Sequence, residues 1–269
     1  LKDRFPEKTN FVPHALPEYM FNKLNKKEIS DSKAKLLGEK NKDKFVGIWV
    51  NRNAKRKRPS DVLMSWKIFL DNLEKKEGHR DALLIMHTEP LDNEGPNLFT
   101  VSEELGIRDN VFFSRERLDF PQMNVLYNIS DFCINISYAE GFGLSTLESM
   151  MTGTPIVAVK TGGLTRQVVD HRDGTENGAA IDVKIKSLVG SQAVPFIYED
   201  YAACDEVAEG IMKIYSLNDF EKEMLSEKVQ DYAKNEFGMQ NTIDMWHDTM
   251  LKTLDTWKEN NKKWELFKF

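Results

Sequence analysis

Two glutamates, Glu140 and Glu148, enclose a glycine-containing segment with the sequence EGFGLSTLE. Gly141 and Gly143 let the backbone bend closely around a ligand, and the residues from Leu144 onward have the pattern of a helix. The first amide groups of a helix bind anions, whereas carboxylates accept hydrogen bonds from hydroxyl groups. An anion with hydroxyl-bearing groups on both sides describes a nucleotide sugar, which is the ligand that this segment indicates.

The same segment also matches a simpler pattern. Ser145 and Glu148 stand three residues apart, as in a capping box, in which Ser145 caps the helix and Glu148 folds back onto its first amide groups. This alternative explains Glu148 without a ligand. It explains neither Glu140 nor the two glycines, so both interpretations stay open.

Two further turns carry residues suited to binding phosphate. The segment NRNAKRKRPSD crowds five cations into seven positions of an acidic protein, and TGGLTRQ contributes Gly162 and Gly163. An isolated run of charges is usually a solvated loop. This run follows a predicted strand and precedes a predicted helix, where a phosphate meets both cations and free amide groups. The five cations are Arg52, Lys55, Arg56, Lys57 and Arg58.

Strand-length apolar runs alternate with amphipathic helical segments along the chain. This order predicts an α/β, Rossmann-like open parallel sheet with helices on both faces. Ligands bind such sheets at the carboxyl ends of the strands, which places the turns after Val50, Ser137 and Val159 at the site. The predicted strands are Phe45–Val50, Ala82–His87, Val111–Ser114, Phe132–Ser137, Pro155–Val159 and Ala179–Val183.

Composition and charge narrow the class of protein. The net charge of −6 and the pI near 5.5 argue against a protein that binds nucleic acid or anionic membranes as a whole. Two cysteines form no disulfide framework, and no apolar run approaches the roughly 20 residues of a membrane span, so we expect a cytoplasmic protein. The five histidines show no metal-ligand spacing, and the first residue is Leu1, which suggests a fragment of a longer chain.

The spacing of Glu140 and Glu148 within EGFGLSTLESMMTGTPIVAVKTGG resembles the signature of the retaining GT-B glycosyltransferases, specifically family 4, also called group 1. Arg52 and Lys57 match the arginine and lysine that bind phosphate in that family. The matching order runs from about Pro13 to Val183. The resemblance implies that the chain is the C-terminal, donor-binding half of a GT-B fold.

The resemblance also implies an activity. The chain would transfer a sugar, with retention of configuration, from a UDP-, GDP- or ADP-sugar to an acceptor, with neither metal nor cofactor, and the sequence has no Asp–x–Asp triplet. Catalytic roles would fall to Arg52 and Lys57, which stabilise the leaving diphosphate, and to Glu140, which contacts the transferred sugar. The donor-binding residues would be Gly141, Phe142, Gly143, Leu144, Ser145, Glu148, Gly162 and Gly163, with Glu148 on the ribose hydroxyls.

This sequence departs from the family in the turn after the fifth strand. The family commonly has a glutamate after its paired glycines, whereas Arg166 and Gln167 occupy that region here. The segment of residues 184–206 is longer than a simple connection, and we expect a surface excursion that helps to shape the site.

Three parts of the chain follow from the resemblance. Residues 1–16 are expected to end the acceptor domain and form the interdomain linker, residues 17–239 to bind the nucleotide sugar, and residues 240–269 to form a helical tail. The tail would cross to an N-terminal domain that this sequence lacks, and without that domain the chain is expected to be inactive. Packing of the tail on its own domain is the alternative. Its apolar stripe comprises Trp246, Met250, Leu254 and Trp257, with Trp264 and Phe267 beyond.

Other classes of protein fit less well. A Rossmann dehydrogenase needs Gly–x–Gly–x–x–Gly after its first strand, and NRNAKR has no glycine. A serine hydrolase needs Gly–x–Ser–x–Gly, which does not surround Ser145. A non-catalytic nucleotide-binding or interaction module derived from the same fold is the alternative that stays open.

Overall fold

The computed structural model describes residues 9–260, and its centre is a six-stranded, fully parallel sheet. The strands are β1 (Phe45–Val50), β2 (Ala82–His87), β3 (Val111–Ser114), β4 (Phe132–Asn135), β5 (Ile156–Val159) and β6 (Gly178–Ile181). The strand order is β3-β2-β1-β4-β5-β6. Apart from the edge strand β3, in which Phe112 is exposed, the strands are almost entirely buried, which is why they appear in the sequence as continuous apolar runs.

Helices cover both faces of this sheet, which confirms the predicted fold class. The helices are α1 (Lys26–Leu37), α2 (Pro59–Glu77), α3 (Leu98–Glu104), α4 (Phe120–Asn128), α5 (Leu144–Met151), α6 (Leu164–Val168), α7 (Cys204–Tyr215), α8 (Asp219–Phe237) and α9 (Met239–Asn260). By their mutual contacts, α2, α3 and α7 form one group, and α1, α4, α5, α6 and α8 form the other. Within residues 9–260, no helix combines the length and apolar character needed to cross a membrane.

The predicted end of the fourth strand is wrong by two residues. β4 ends at Asn135, whose side-chain oxygen accepts hydrogen bonds from the backbone amide of Ser137 at 3.2 Å and from its hydroxyl at 2.6 Å. This local turn takes the chain out of the sheet. The sixth strand is Gly178–Ile181, shifted from the predicted Ala179–Val183, because its pairing with β5 starts at Gly178.

The strand order places a crevice at one edge of the sheet. β1 lies between β2 and β4, so the winding of the chain reverses between β1 and β4. At such a switch point the loops that follow the two strands diverge and leave a crevice at the carboxyl edge of the sheet. The turn that starts at Asn51 and the turn that starts at Ile136 therefore form the two sides of one crevice.

The predicted surface excursion is a separate antiparallel hairpin of β7 (Ile185–Val189) and β8 (Ile197–Tyr201). The base of the hairpin is attached to the crevice. The backbone amide of Asp200 donates to the carbonyl of Tyr138 at 2.8 Å, and the hydroxyl of Thr161 donates to the Asp200 carboxylate at 2.6 Å. The hairpin is thus held next to the turns that follow β4 and β5.

The ends of the proposed donor-binding part lie together. Leu16 forms a parallel bridge with Gly238, and its amide donates to the Phe237 carbonyl at 3.3 Å. α9 begins immediately afterwards, and the part of its predicted stripe within the described residues is about half exposed, from 51% at Leu254 to 59% at Trp257. Trp264, Phe267 and residues 1–8 of the predicted linker lie outside the described part of the chain.

Candidate functional site

A cavity of about 350 Å³ lies at the switch point between β1 and β4. A lysine, a carboxylate, the start of a helix and a histidine of the predicted linker all face this cavity. Its lining residues are His14, Val50, Asn51, Lys57, Glu140, Phe142, Gly143, Leu144 and Ser145.

A second cavity, of about 400 Å³, lies on the opposite side of the sheet. Among its lining residues, Asp131 and Pro155 immediately precede β4 and β5, so this cavity is at the amino edge of the strands. Open parallel sheets bind their ligands at the carboxyl edge. We therefore take the cavity at the switch point as the candidate site.

An ion pair between Lys57 and Glu140 forms the chemical centre of the site. The ammonium group of Lys57 contacts the carboxylate of Glu140, and the two side chains are only 9% and 13% exposed. Lys57 ends a short 3₁₀ turn, Lys55–Lys57, whereas Glu140 lies in the loop between β4 and α5. The amide of Tyr138 donates to the carbonyl of Arg56 at 3.0 Å and joins the two loops. The predicted residues Lys57 and Glu140 are thus brought together.

The start of α5 opens into the same cavity. Its N-cap is Gly143, which has the left-handed conformation (φ 93°) that glycine adopts without strain, and no side chain caps the helix. Leu144 and Ser145 are its first two residues, and both line the cavity. The amide groups of the first helical turn are therefore left without a side-chain acceptor, as an anion-binding helix requires.

The capping-box interpretation of Ser145 and Glu148 is wrong. Ser145 is the second residue inside the helix, because only a glycine fits the left-handed N-cap position at residue 143. Glu148 does not fold back: its carboxylate accepts a hydrogen bond from the hydroxyl of Tyr127 at 2.6 Å. Burial raises the pKa of Glu148, and the hydrogen bond from Tyr127 partly offsets that rise. Glu148 does not line the cavity, and its contact with a ribose stays a prediction.

Gly162 and Gly163 are placed beside the crevice, as expected, but they pack against the loop that carries Glu140. A Cβ atom on Gly162 (φ +48°) would lie 2.0 Å from the carbonyl oxygen of Glu140. A Cβ atom on Gly163 would lie 2.5 Å from the Cα atom of Phe142, and its amide donates to the Glu140 carbonyl at 3.1 Å. Their role in this structure is to let two backbones approach, while contact with a donor stays a prediction.

Arg52 lies away from the cavity. Its guanidinium makes hydrogen bonds of 2.8 and 3.2 Å to Asp92 and of 2.9 Å to Glu94, and its side chain is 60% exposed. The hydrogen bond between the two groups raises the pKa of Arg52 and lowers that of Asp92. Residues 88–97, which we call the acidic loop, are held there by Asn53, whose amide donates to the carbonyls of Pro90 and Pro96 at 3.1 and 2.8 Å.

Gln167, which the sequence analysis noted only as a departure from the family pattern, has a structural role that the sequence did not indicate. It is fully buried, and its amide nitrogen donates to the carbonyls of Phe142 and Gly143 at 2.8 and 3.1 Å. Its side-chain oxygen accepts from the hydroxyl of Thr146 at 2.5 Å. Gln167 thereby fixes the loop before α5. The sequence feature that could have indicated this contact is an amide side chain in the helix that follows the paired glycines.

The sequence analysis counted Arg58 among the cations of the basic turn, but the structure buries it and gives it a different role. It is the left-handed N-cap of α2 and is 6% exposed. Its guanidinium lies 5.1 Å from the ring centroid of Tyr138 and 5.8 Å from that of Tyr201, and it donates to the carbonyl of Ala202 at 3.0 Å. Arg58 therefore connects the turn after β1 with the base of the hairpin.

Three further residues named for their position near the crevice are Gly141, Phe142 and His87. Gly141 is exposed and its Cβ position is open, whereas the Phe142 ring lies edge-on to His14 at 5.0 Å and to Phe237 at 5.6 Å. His87, at the end of β2, is held by Ser114 at 2.9 Å, and burial lowers its pKa. Among residues 9–260, no group of three or more His, Cys, Asp or Glu side chains is arranged to hold a metal ion.

Comparison with known proteins gives a family and related structures. The model of the family described as "Glycosyl transferases group 1" matches residues 32–194. D-inositol 3-phosphate glycosyltransferase 2 from Catenulispora acidiphila is 38% identical over 82 residues, which are 30% of this chain and 19% of that protein. The match thus spans about a fifth of the relative's length.

Two solved structures share the fold along most of this chain. Sucrose-phosphate synthase from Thermosynechococcus elongatus superimposes with a TM-score of 0.67 at 18% identity, over 95% of this chain and 56% of that one. Anabaena Alr3699/HepE in complex with UDP-glucose gives a TM-score of 0.66 at 18% identity, over 93% of this chain and 58% of that one. The chain thus spans little more than half of either structure.

Proposed function

Because the chain belongs to the family of group 1 glycosyl transferases, we propose that it binds the nucleoside-diphosphate-sugar donor of a sugar transfer that retains the configuration of the sugar. One observation carries this proposal: Lys57 and the uncapped start of α5 face the same cavity as Glu140 at the switch point of the sheet. The acceptor would be bound by a part of the protein outside this chain.

The charges around the cavity suit a diphosphate. The ammonium of Lys57 and the amide groups of the first turn of α5 are donors that converge on one space, and the positive end of the helix dipole adds to them. Glu140 takes the place of an anion beside Lys57. We propose that the diphosphate binds Lys57 and that Glu140 is then released towards the hydroxyl groups of the transferred sugar.

The proposed chemistry is a substitution on one face of the sugar. The bond between the anomeric carbon and the phosphate oxygen breaks, its electrons leave with the nucleoside diphosphate, and the acceptor oxygen bonds to the same carbon from the same side. The acceptor proton passes to the departing phosphate. Lys57 and the α5 amides stabilise the negative charge that develops on the leaving group. Arg52 joins them if the acidic loop releases it.

A uridine nucleotide is the first donor to test. A neighbour with the same fold is recorded with UDP-glucose, which supports UDP as the probe, with GDP and ADP beside it. We propose that catalysis requires an N-terminal acceptor domain, since the chain spans 56% of the related synthase. A domain that binds nucleotide but leaves the full-length protein without transfer activity would instead favour a non-catalytic binding module.

Calorimetric titration of the chain with UDP, GDP and ADP tests the proposal. Lys57→Ala should weaken binding of the preferred nucleotide at least tenfold, because a charge-assisted contact is lost. Lys55→Ala is the matched control, since Lys55 is an exposed lysine of the same turn and should change affinity less than about threefold.

Lys57→Ala leaves the Glu140 carboxylate without its partner, so Lys57→Gln/Glu140→Gln is needed as a charge-neutral pair. Weak binding by this folded double variant supports the proposal. Equal effects of the Lys55 and Lys57 substitutions, or a folded chain that binds none of the three nucleotides, would contradict it.

A further inference from the structure

The hairpin of β7 and β8 ends in an exposed, uncharged segment. Residues 187–198, which we call the hairpin tip, include no Asp, Glu, Lys or Arg, although 30% of the chain is charged. Within the tip Phe196 is 70% exposed, and Leu188 and Val194 are about half exposed. An uncharged run of similar length, residues 149–159, is wholly buried. The tip therefore presents to solvent a kind of sequence that the chain buries at residues 149–159.

Apolar side chains emerge from both faces of this hairpin. Residues opposite each other in an antiparallel pair share one face, whereas neighbours along a strand point to opposite faces. Leu188 pairs with Tyr198 on one face, and Val189 pairs with Ile197 on the other. Ile197 and Tyr198 are 40% and 43% exposed, so the described residues cover neither face. A protein docked on one face would leave the other in water, whereas lipid surrounds an inserted segment on all sides.

Charge varies along the hairpin from its base to its tip. At the base, the ammonium group of Lys186 lies 3.8 Å from the Asp200 carboxylate and 5.1 Å from the ring centroid of Tyr198. Tyrosine and lysine favour the boundary between membrane and water, because each has an apolar body and a polar end. An uncharged tip beyond this boundary fits shallow insertion into one leaflet of a membrane.

We propose that the hairpin tip inserts into a lipid surface and anchors the chain there. The net charge of −6 gives no attraction to anionic lipids, and Lys186 already has an acidic partner, so burial of apolar surface provides the affinity. Because the Asp200 amide at the base donates to the carbonyl of Tyr138 in the loop after β4, insertion would hold that loop near the lipid. Lipid binding needs no nucleotide, so this inference does not rest on the proposed function.

Co-sedimentation of the intact chain with phosphatidylcholine vesicles tests the proposal. Phe196→Ser/Ile197→Ser should weaken vesicle binding at least about tenfold, because two exposed apolar side chains lose their transfer into lipid. Trp246→Ser/Met250→Ser is the matched control, since it removes two half-exposed apolar side chains from α9, and it should weaken binding less than about twofold. Phosphatidylserine in the vesicles, or added salt, should change binding of the unsubstituted chain less than about twofold.

A fluorescent reporter in the tip locates the contact. Phe196→Trp places a tryptophan at a position that is 70% exposed, so the fold should tolerate it. Vesicles of brominated phosphatidylcholine should quench this variant more strongly than the unsubstituted chain, whose five tryptophans lie outside the tip. Melting temperatures within about 2 °C of the unsubstituted chain would show that the hairpin variants are folded.

Several results would overturn the lipid assignment. They are a folded chain that does not bind the vesicles, equal losses for the hairpin and α9 variants, binding that requires phosphatidylserine, and no added quenching in Phe196→Trp. Analytical ultracentrifugation adds one more. A dimer that Phe196→Ser/Ile197→Ser dissociates would show that a second copy of the chain, and not lipid, covers the tip.

Discussion

The basic turn after β1 holds two predicted phosphate-binding cations in opposite environments. Lys57 is buried against Glu140 inside the cavity, whereas Arg52, five residues earlier, is exposed and bound by Asp92 and Glu94 of the acidic loop. Both cations already have carboxylate partners. Removing one partner of the Lys57 pair should cost more than removing a partner of the exposed Arg52, because it leaves a nearly buried charge uncompensated. Under the proposed function, a donor would have to displace Glu140 from Lys57, whereas Arg52 would be released at low cost.

The largest expected effect comes from removing Glu140, the partner of the buried Lys57. Glu140→Ala removes the partner of Lys57, whose side chain is only 9% exposed in the unsubstituted chain, and should lower the free energy of unfolding by about 3 kcal/mol. Urea denaturation measures the loss. Glu140→Gln keeps the shape and an acceptor oxygen and should lose less. A loss below about 1 kcal/mol for Glu140→Ala would show that Lys57 reaches water and that the pair is not a buried one.

Removing the support of the Glu140 loop should have the next largest effect. Gly163→Ala sets a Cβ atom 2.5 Å from the Cα atom of Phe142, a backbone contact that only a shift of the loop relieves. The expected loss of stability is about 2 kcal/mol, with weaker UDP binding because the loop carries Glu140. Gly141→Ala is the control, since its Cβ would meet no atom within 4 Å. Equal melting temperatures for the two variants would contradict the role assigned to Gly163.

A smaller effect, on nucleotide affinity, is expected from releasing the exposed Arg52. Asp92→Asn/Glu94→Gln removes both carboxylates from Arg52 and should strengthen UDP binding about threefold at low salt, because the guanidinium becomes free to reach the diphosphate. Titrations at two salt concentrations should show the gain fading as ionic strength rises. The gain should vanish when Arg52→Ala is combined with the double substitution. Weaker binding by Asp92→Asn/Glu94→Gln would mean that the acidic loop positions Arg52 for the donor.

The smallest expected effect is a dependence of the protein's stability on pH, caused by Glu148. Burial holds the pKa of Glu148 above its unfolded value, so folding favours the protonated form, and the stability contributed by protonation is lost as pH rises through the folded pKa. Glu148→Gln stays neutral and can still accept from Tyr127, so it should gain stability over the unsubstituted chain at pH 7 but not at pH 4.

Unfolding curves at the two pH values measure this difference. Glu223 is a control of opposite sign, because the hydrogen bond from Lys23 lowers its pKa and its contribution is present at pH 7 and lost in acid. Glu223→Gln should therefore lose stability at pH 7. An identical pH profile for Glu148→Gln and the unsubstituted chain would show that Glu148 is solvated in solution.

The sequence predicted the elements well and the side-chain contacts unevenly. The alternation of apolar runs and amphipathic segments predicted the parallel sheet, since strands buried on both faces have no polar positions. It also placed Lys57, Glu140 and the start of α5 in one crevice. The capping-box alternative was wrong because a helix start was assigned to the nearest serine, whereas the left-handed turn at Gly143 decides it.

Two residues were present in the sequence analysis without their structural roles, for a common reason. Gln167 contacts Phe142, 25 positions away, and Arg58 contacts Ala202, 144 positions away, and no local pattern records such contacts. Gln167 reaches the loop before α5, and Arg58 reaches the end of the hairpin. Such contacts exist only once the strands have brought the loops together.

The sequence by itself determined the architecture and the position of the site, because hydrophobic period and glycine placement are local properties that select strands, helices and the crevice between β1 and β4. Only the tertiary structure decided which of the two cations faces that crevice. Asn53 fixes the acidic loop against the basic turn, and carboxylates of that loop bind Arg52 away from the cavity. Lys57, close to the start of α2, contacts Glu140 inside the cavity. Packing between distant loops, and not the order of the charges, sets this difference.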